Sequence, residues 1–217
     1  MTKRKEVSEK TLELNVCAEM IQHIRSHPPF RKASWHGLTQ REERQEGLDA
    51  KIRNAPKGVA LMLQFKSPWA TLRVDTLYKF TINRRQHKAM ERLGHPGAVH
   101  YVFPLYSKWC KIYKNTPDLL QDTWLVPVEC IPSKYLAKDS TTIEVRKLSP
   151  SGVRASGPNW ESKCNAMNAG EYFQPRTGSL SDIQGIGVTA PQMREWIDGR
   201  DWTALRFRGL GFFYLPL

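Results

Sequence analysis

Two polar side chains stand at the end of an apolar segment, where they could share one chemical task. The run Val59 to Leu63 is followed directly by Gln64, Phe65 and Lys66. Because successive side chains of a strand point to opposite faces, Gln64 and Lys66 point the same way. We expect Lys66 to face solvent at the strand end.

A carboxylate precedes this pair at Asp49. Residues 54–58 have the composition of a turn, so the segments on either side predict a β-hairpin. If the turn is centred between Pro56 and Lys57, Asp49 lies directly beside Gln64. The register is a condition of this prediction, because a slip of one residue would turn the side chain to the other face.

A carboxylate, an amide and an ammonium in one place suit the hydrolysis of a phosphodiester. That reaction needs a cation to neutralise the developing charge and a group that positions the attacking water. Asp49 can bind Mg²⁺ directly, and Gln64 with the backbone carbonyl of Phe65 can add neutral oxygen ligands. Lys66 can orient the water and stabilise the charge of the transition state.

The elements that position these residues follow from periodicity and turn residues. Helices are predicted at 9–25, after the cap residue Ser8, and at 84–93 and 191–198, and strands at 48–53, 59–66, 77–82, 99–103, 125–131, 141–147 and 205–217. Residues 106–124 are predicted to be irregular. Residues 149–187, rich in Gly, Ser, Pro and Asn, are predicted to form long loops or an ordered excursion that only tertiary contacts hold.

The predicted helix 84–93 is basic. Arg84 and Lys88 fall close to one of its faces, and Arg85 stands beside them. Such a stripe suits contacts with phosphates, which position a nucleic acid without reading its sequence. A basic face that only meets solvent is the alternative. His87 is expected to be solvated as well, and a role as general base is the competing hypothesis.

Composition favours a nucleic-acid partner. Lys and Arg number 33 against 21 Asp and Glu, which gives a formal charge of +12, and such an excess attracts polyanions. The charged start of the chain and the lack of a long apolar run predict no secretion signal and no membrane span, hence a cytoplasmic protein. The four cysteines have no zinc-binding spacing and are expected to be reduced thiols.

The set Asp49, Gln64 and Lys66 resembles the active site of the PD-(D/E)XK nuclease superfamily, in the QxK form of Mrr-type restriction enzymes and related anti-phage nucleases. Over roughly residues 9–103, the order of helix, hairpin, third strand, helix and fourth strand is also similar. The resemblance implies an α/β fold with a restriction-endonuclease-like core, in which helices flank a mixed central β-sheet. It divides the chain into a nuclease-like core, 1–148, and a loop-rich extension, 149–217, packed on the same domain.

The same resemblance implies further site residues. In that family a glutamate on the first helix often completes the site, and Glu13 is the most similar position, with Glu19 as the competing choice. Glu13 flanks the apolar stripe of the helix, whereas Glu19 lies on a different azimuth, which favours Glu13. Gln86 resembles a glutamine that faces the metal in exonuclease-type members, although Met90 stands where they have a tyrosine.

The implied activity is that of a metal-dependent endonuclease acting on DNA with Mg²⁺, or with Mn²⁺ in its place. The analogy extends to an effector of prokaryotic anti-phage defence, acting as a homo-oligomer or with other subunits of a defence complex. Two other functions stay open. One is a catalytically degenerate nucleic-acid-binding protein, in which Gln64 weakens metal binding, and the other is an interaction subunit that holds a partner through its C-terminal region.

Overall fold

Two β-sheets with helices beside them make up the described part of the chain. The computed structural model describes residues 7–26, 31–37, 58–69, 77–92, 99–115, 118–149, 152–161, 166–172, 186–188 and 210–216. The strands are β1 Ser34–Gly37, β2 Gly58–Phe65, β3 Leu77–Asn83, β4 Val99–Pro104, β5 Thr123–Pro127, β6 Ser140–Ser149, β7 Gly152–Gly157, β8 Trp160–Glu161, β9 Met167–Asn168, β10 Ile186–Val188 and β11 Leu210–Pro216. The α-helices are α1 Glu9–Arg25, α2 Arg84–Glu91, α3 Trp109–Asn115 and α4 Ala169–Tyr172, and short 3₁₀ helices cover Leu119–Asp122, Val128–Cys130 and Ser133–Tyr135.

The first sheet is mixed. Its strand order is β1-β11-β2-β4-β5-β9, and β10 pairs with one end of β2. β2 and β4 run parallel, from Met62 opposite Val99 to Phe65 opposite Val102, whereas the other pairs are antiparallel. The second sheet, β3-β6-β7-β8, is antiparallel throughout. The prediction of an α/β fold with a mixed sheet flanked by helices is therefore confirmed.

β4 and the described side chains of β2 are buried on both faces of the first sheet. Leu61, Leu63 and Phe65 join a core formed with the apolar side of α1. Met62 points the other way, into a core shared by the two sheets. A strand buried on both faces has to be almost entirely apolar, which explains the sequence of β2. Gln64 is the exception, because it is polar and fully buried on the face of Met62.

α1 has the bounds that its apolar stripe predicted. The Ser8 side chain accepts a hydrogen bond from the backbone N–H of Thr11 at 3.0 Å and so caps the helix. Leu12, Val16 and Met20 are buried against the first sheet. No helix among the described residues has the length and apolar composition needed to cross a membrane.

Gln64 of β2 is paired on both sides. Its neighbours are Leu210 of β11 and Tyr101 of β4. Asp49 and the predicted strand 48–53 lie outside the described residues.

Two segments predicted to be irregular or loop-rich contain regular structure. Residues 106–124 contain α3 and a 3₁₀ helix, and β7, from the segment 149–187, pairs with β6 as an antiparallel neighbour. β11 falls within the predicted last strand and lies between β1 and β2. The helix predicted at 191–198 lies outside the described residues, and the domain boundary at 148 stays a prediction.

One cysteine differs from the expectation that all four are reduced thiols. Cys17 is free and buried, and Cys110 is free and exposed. Cys130 takes part in a disulfide bond, so the prediction of four reduced thiols is wrong for this residue. A disulfide requires two cysteines that the fold brings close together, and spacing along the chain does not contain that information.

The core between the sheets offers a test of this architecture. Phe103 of β4 is fully buried, and its ring centroid lies 4.6 Å from that of Phe80 on β3. This ring contact joins the two sheets. Phe103→Ala should lower the free energy of unfolding by about 3–5 kcal/mol, because it leaves a cavity. Leu148→Ala is the control, since Leu148 is 53% exposed, and should change it by less than about 0.5 kcal/mol. Equal midpoints of the two variants in urea unfolding would contradict the layered core.

Candidate active site

The C-terminal end of β2 carries the polar pair identified in the sequence. Gln64 is fully buried, and Lys66, just past the strand, is only 5% exposed. The backbone N–H of Lys66 donates to the carbonyl of Val102 at 3.0 Å, which extends the pairing of β2 with β4 to the site itself. The expectation that Lys66 faces solvent is wrong, since α2 lies over the sheet at this point.

Gln86 of α2 joins the two residues into a hydrogen-bonded chain. The Lys66 ammonium Nζ donates to Gln86 Oε1 at 2.7 Å, and Gln86 Nε2 donates to Gln64 Oε1. Gln64 Nε2 in turn donates to the carbonyl of Phe65 at 3.0 Å. We call Gln64, Lys66 and Gln86 the amide–lysine cluster. All three side chains are buried.

The position of Gln86 follows from the way α2 begins. Asn83, at the end of β3, caps the helix, because its Oδ1 accepts hydrogen bonds from the backbone N–H groups of Arg85 and Gln86. Met90, one turn after Gln86, is buried in the core between the sheets. The cap and this apolar contact hold Gln86 against the end of β2.

His87 is buried beside the cluster and not solvated as predicted. Its Nδ1 lies 3.1 Å from the Tyr101 hydroxyl, and its Nε2 lies 3.3 Å from a carboxylate oxygen of Glu91. Burial lowers the pKa of His87, and the Glu91 carboxylate opposes that effect. The ring has no exposed surface, and both of its nitrogens face other side chains of the protein. The sequence indicates this burial through the spacing of three residues between His87 and Met90, which places both side chains on one side of the helix.

Glu13 is a buried carboxylate on α1. It is 2% exposed, its Oε1 accepts a hydrogen bond from Lys10 Nζ at 3.1 Å, and its Oε2 has no hydrogen-bond partner. The pKa of neighbouring Cys17 is raised by burial and, to a smaller extent, by the charge of Glu13. No described hydrogen bond joins Glu13 to the amide–lysine cluster. This oxygen of Glu13 can therefore still accept a hydrogen bond or bind a cation.

The competing residue, Glu19, is engaged elsewhere. Its Oε2 accepts a hydrogen bond from the backbone N–H of Leu119 at 2.7 Å, at the start of a 3₁₀ helix. Burial raises the pKa of Glu19 to about 7, against the opposing effect of the Leu119 and Leu120 N–H groups. Glu19 thus holds the start of this 3₁₀ helix through its carboxylate.

Of the four predicted substrate-binding residues of α2, Gln86 is buried, and the basic ones occupy the outer side. Arg85 and Lys88 are exposed, and Arg84 is half-buried. α2 has no acidic residue in its first turn, so its N-terminal end is basic. The same helix therefore presents Gln86 to the cluster and basic side chains to solvent.

The described residues do not by themselves form a group of carboxylates that could bind a metal ion. Within the described ranges, no three His, Cys, Asp or Glu side chains lie close enough together to hold a metal ion. Asp49, the predicted metal ligand, is outside those ranges. The other predicted metal ligands, Gln64, Phe65 and Glu13, are among the described residues.

Comparison of the chain with known protein families, with curated proteins and with solved structures finds no match.

The raised pKa of Glu19 makes a prediction about stability. Its carboxyl group holds a proton more tightly in the folded chain than the ordinary value of 4.5 allows, so the folded state is favoured at low pH and loses stability as the pH rises through about 7. Glu19→Gln cannot ionise and should lose less in melting temperature across this interval. The control is Glu161→Gln, at an exposed glutamate paired with Arg154. Parallel melting curves for Glu19→Gln and the unmodified protein at every pH would contradict the burial of this carboxyl group.

Proposed function

We propose that the chain is a metal-dependent nuclease of the PD-(D/E)XK type, hydrolysing phosphodiester bonds of DNA, with a restriction-endonuclease-like core. The observation that carries the proposal is the buried amide–lysine cluster at the end of β2. Three residues singled out from the sequence for phosphodiester chemistry, Gln64, Lys66 and Gln86, are joined there by hydrogen bonds.

A buried lysine favours a chemical role over a purely structural one. Removing an ammonium from water is costly unless polar partners compensate for it. A leucine or methionine at position 66 would fill the same space without that cost. An ammonium held in a water-poor site can, however, stabilise charge that develops on a phosphoryl group far better than it could in water. Lys66 is proposed to take this role and to orient the attacking water.

The described oxygen donors fit a hard cation such as Mg²⁺, or Mn²⁺ in its place. A hard cation accepts amide and backbone carbonyl oxygens as ligands, and Gln64 and Phe65 supply one of each. Glu13 has one carboxylate oxygen without a hydrogen bond. Asp49, Gln64, Phe65 and Glu13 are the proposed ligands. The ion would neutralise the negative charge of the reacting phosphate.

Gln86 is proposed as a positioning residue. It accepts from Lys66 and donates to Gln64, so it fixes the ammonium and the amide relative to each other. Arg84, Arg85 and Lys88 on the same helix are proposed to contact the DNA backbone, in keeping with the charge of +12. A cytoplasmic location, a defence role, and assembly as a homo-oligomer or with other subunits belong to the same proposal by analogy with the family.

One observation favours a second candidate, a nucleic-acid-binding protein without catalysis. Gln64 is neutral, and its amide is already bonded on both sides, to Gln86 and to the Phe65 carbonyl. A cluster satisfied in this way could stabilise the fold without holding a metal ion. DNA binding with no Mg²⁺-dependent cleavage would identify this candidate.

The role of Lys66 is tested by Lys66→Met, which removes the ammonium and preserves most of the buried volume. With plasmid DNA and Mg²⁺ we expect cleavage to fall by at least about a hundredfold, the loss typical of a removed charge-stabilising donor. Asp49→Ala should fall in parallel. The control is Lys79→Met, because Lys79 is exposed and pairs with Glu144 at 3.0 Å, away from the cluster. If circular dichroism shows folded protein and Lys66→Met cuts as fast as the control, the proposed chemistry is refuted.

The choice between the two glutamates is tested by comparing Glu13→Gln with Glu19→Gln in the same assay at several Mg²⁺ concentrations. Loss of a metal ligand should raise the Mg²⁺ concentration needed for half-maximal cleavage by about tenfold or more in Glu13→Gln. Glu19→Gln should stay within about twofold, because its amide can still accept from Leu119. A larger shift in Glu19→Gln would show that Glu19 is the ligand.

A further inference from the structure

The segment that leads to α3 leaves the first sheet at the end of β4, next to the end of β2 that carries the amide–lysine cluster. β4 runs parallel to β2, and Lys66 bonds to Val102 two residues before β4 ends at Pro104. The chain then passes through Leu105, whose N–H donates to the carbonyl of Asp122 at 2.8 Å, and α3 begins at Trp109. The start of α3 is therefore tied to the same end of the sheet as the cluster.

One side of α3 is anchored and the other carries exposed aromatic rings. Ile112 is buried in the core that also contains Leu119 and the apolar side of α1. Trp109 is 43% exposed, and Tyr113, one turn later, is 80% exposed. Residues four apart are neighbours on a helix surface, so the two rings share one side of α3.

Lysines surround these rings. Lys108 and Lys114 are exposed, and Lys111 between them is half-buried. The sequence from Pro104 to Pro117 contains no Asp or Glu. We call the surface formed by Lys108, Trp109, Lys111, Tyr113 and Lys114 the aromatic–lysine surface. It carries three basic side chains beside two exposed rings.

We infer that the aromatic–lysine surface binds single-stranded nucleic acid, or unpaired bases next to a duplex. Exposed planar rings offer stacking partners to bases, and a base is open to such stacking only when it is not already stacked within a duplex. The lysines suit the phosphates between those bases. The inference rests on the proposed nuclease function and narrows its substrate to DNA with an unpaired segment.

A partner protein with an acidic surface is the rival occupant. It would use the same lysines, but it would not give the rings a preference for unpaired over paired DNA. The combination of a net charge of +12 with exposed rings beside lysines favours the nucleic acid. The test therefore compares one oligonucleotide in its single-stranded and duplex forms.

The experiment measures the fluorescence anisotropy of a labelled oligonucleotide, alone and as a duplex of the same length, with full-length protein and EDTA. In Trp109→Ala/Tyr113→Ala, affinity for the single strand should fall by about tenfold or more, since base stacking on one ring contributes about 1–3 kcal/mol. Affinity for the duplex should change by less than about twofold. Lys108→Ala/Lys114→Ala should weaken binding of both forms, and more at low salt than at high salt.

Tyr135→Ala is the matched control. Tyr135 is 39% exposed and has the Lys134 ammonium 4.8 Å from its ring centroid, so it is an aromatic–lysine pair outside α3. It should bind the single strand as the unmodified protein does. Equal losses for single strand and duplex in the Trp109/Tyr113 variant, or no loss in either, would overturn the inference. Because the assay contains no divalent ion, its outcome is independent of cleavage, and a failure of the proposed catalysis would be seen separately with Lys66→Met.

Discussion

The burial of the Lys66 ammonium is the constraint around which the candidate site is arranged. An ammonium at the end of a buried strand requires polar partners, and the fold provides one from Gln86. Gln86 reaches this position because Asn83 caps α2 directly after β3, and because Met90 fixes the helix in the core between the sheets. A local cap and an apolar contact therefore determine the geometry of a polar cluster that neither could form alone.

The elements that can be predicted from the sequence are those determined by local signals. The bounds of α1 follow from Ser8 and a regular apolar stripe, and the position of β2 follows from a short apolar run. The pairing of β2 could not be predicted from such local signals. Its antiparallel neighbour is β11, which is distant in the sequence, whereas a hairpin partner was predicted. The turn composition at 54–58 contains no information about that competing strand. Strand pairing of this kind depends on the packing of the whole sheet.

The residues of the candidate site could likewise be predicted from the sequence, whereas their burial could not. Alternation along a strand places Gln64 and Lys66 on one face, and the resemblance to nucleases points to Gln86. The depth of the site could not be predicted, because burial of Lys66 and His87 depends on α2 lying over the sheet. His87 illustrates this, since a histidine in a basic helix is usually solvated, yet here it lies against Tyr101 and Glu91. The polarity of these residues suggested exposure, whereas their neighbours in the fold determine it.

The central claim is that the amide–lysine cluster is part of a metal-binding catalytic centre and not a polar contact that only stabilises the fold. Binding of Mn²⁺ to the full chain, followed by electron paramagnetic resonance, tests it most directly. We expect the unmodified protein to bind the ion and Gln64→Leu to bind it at least about tenfold more weakly. Gln121→Leu, at an exposed glutamine, should bind as the unmodified protein does. Absence of Mn²⁺ binding in the unmodified protein, or equal affinity in Gln64→Leu, would contradict the account.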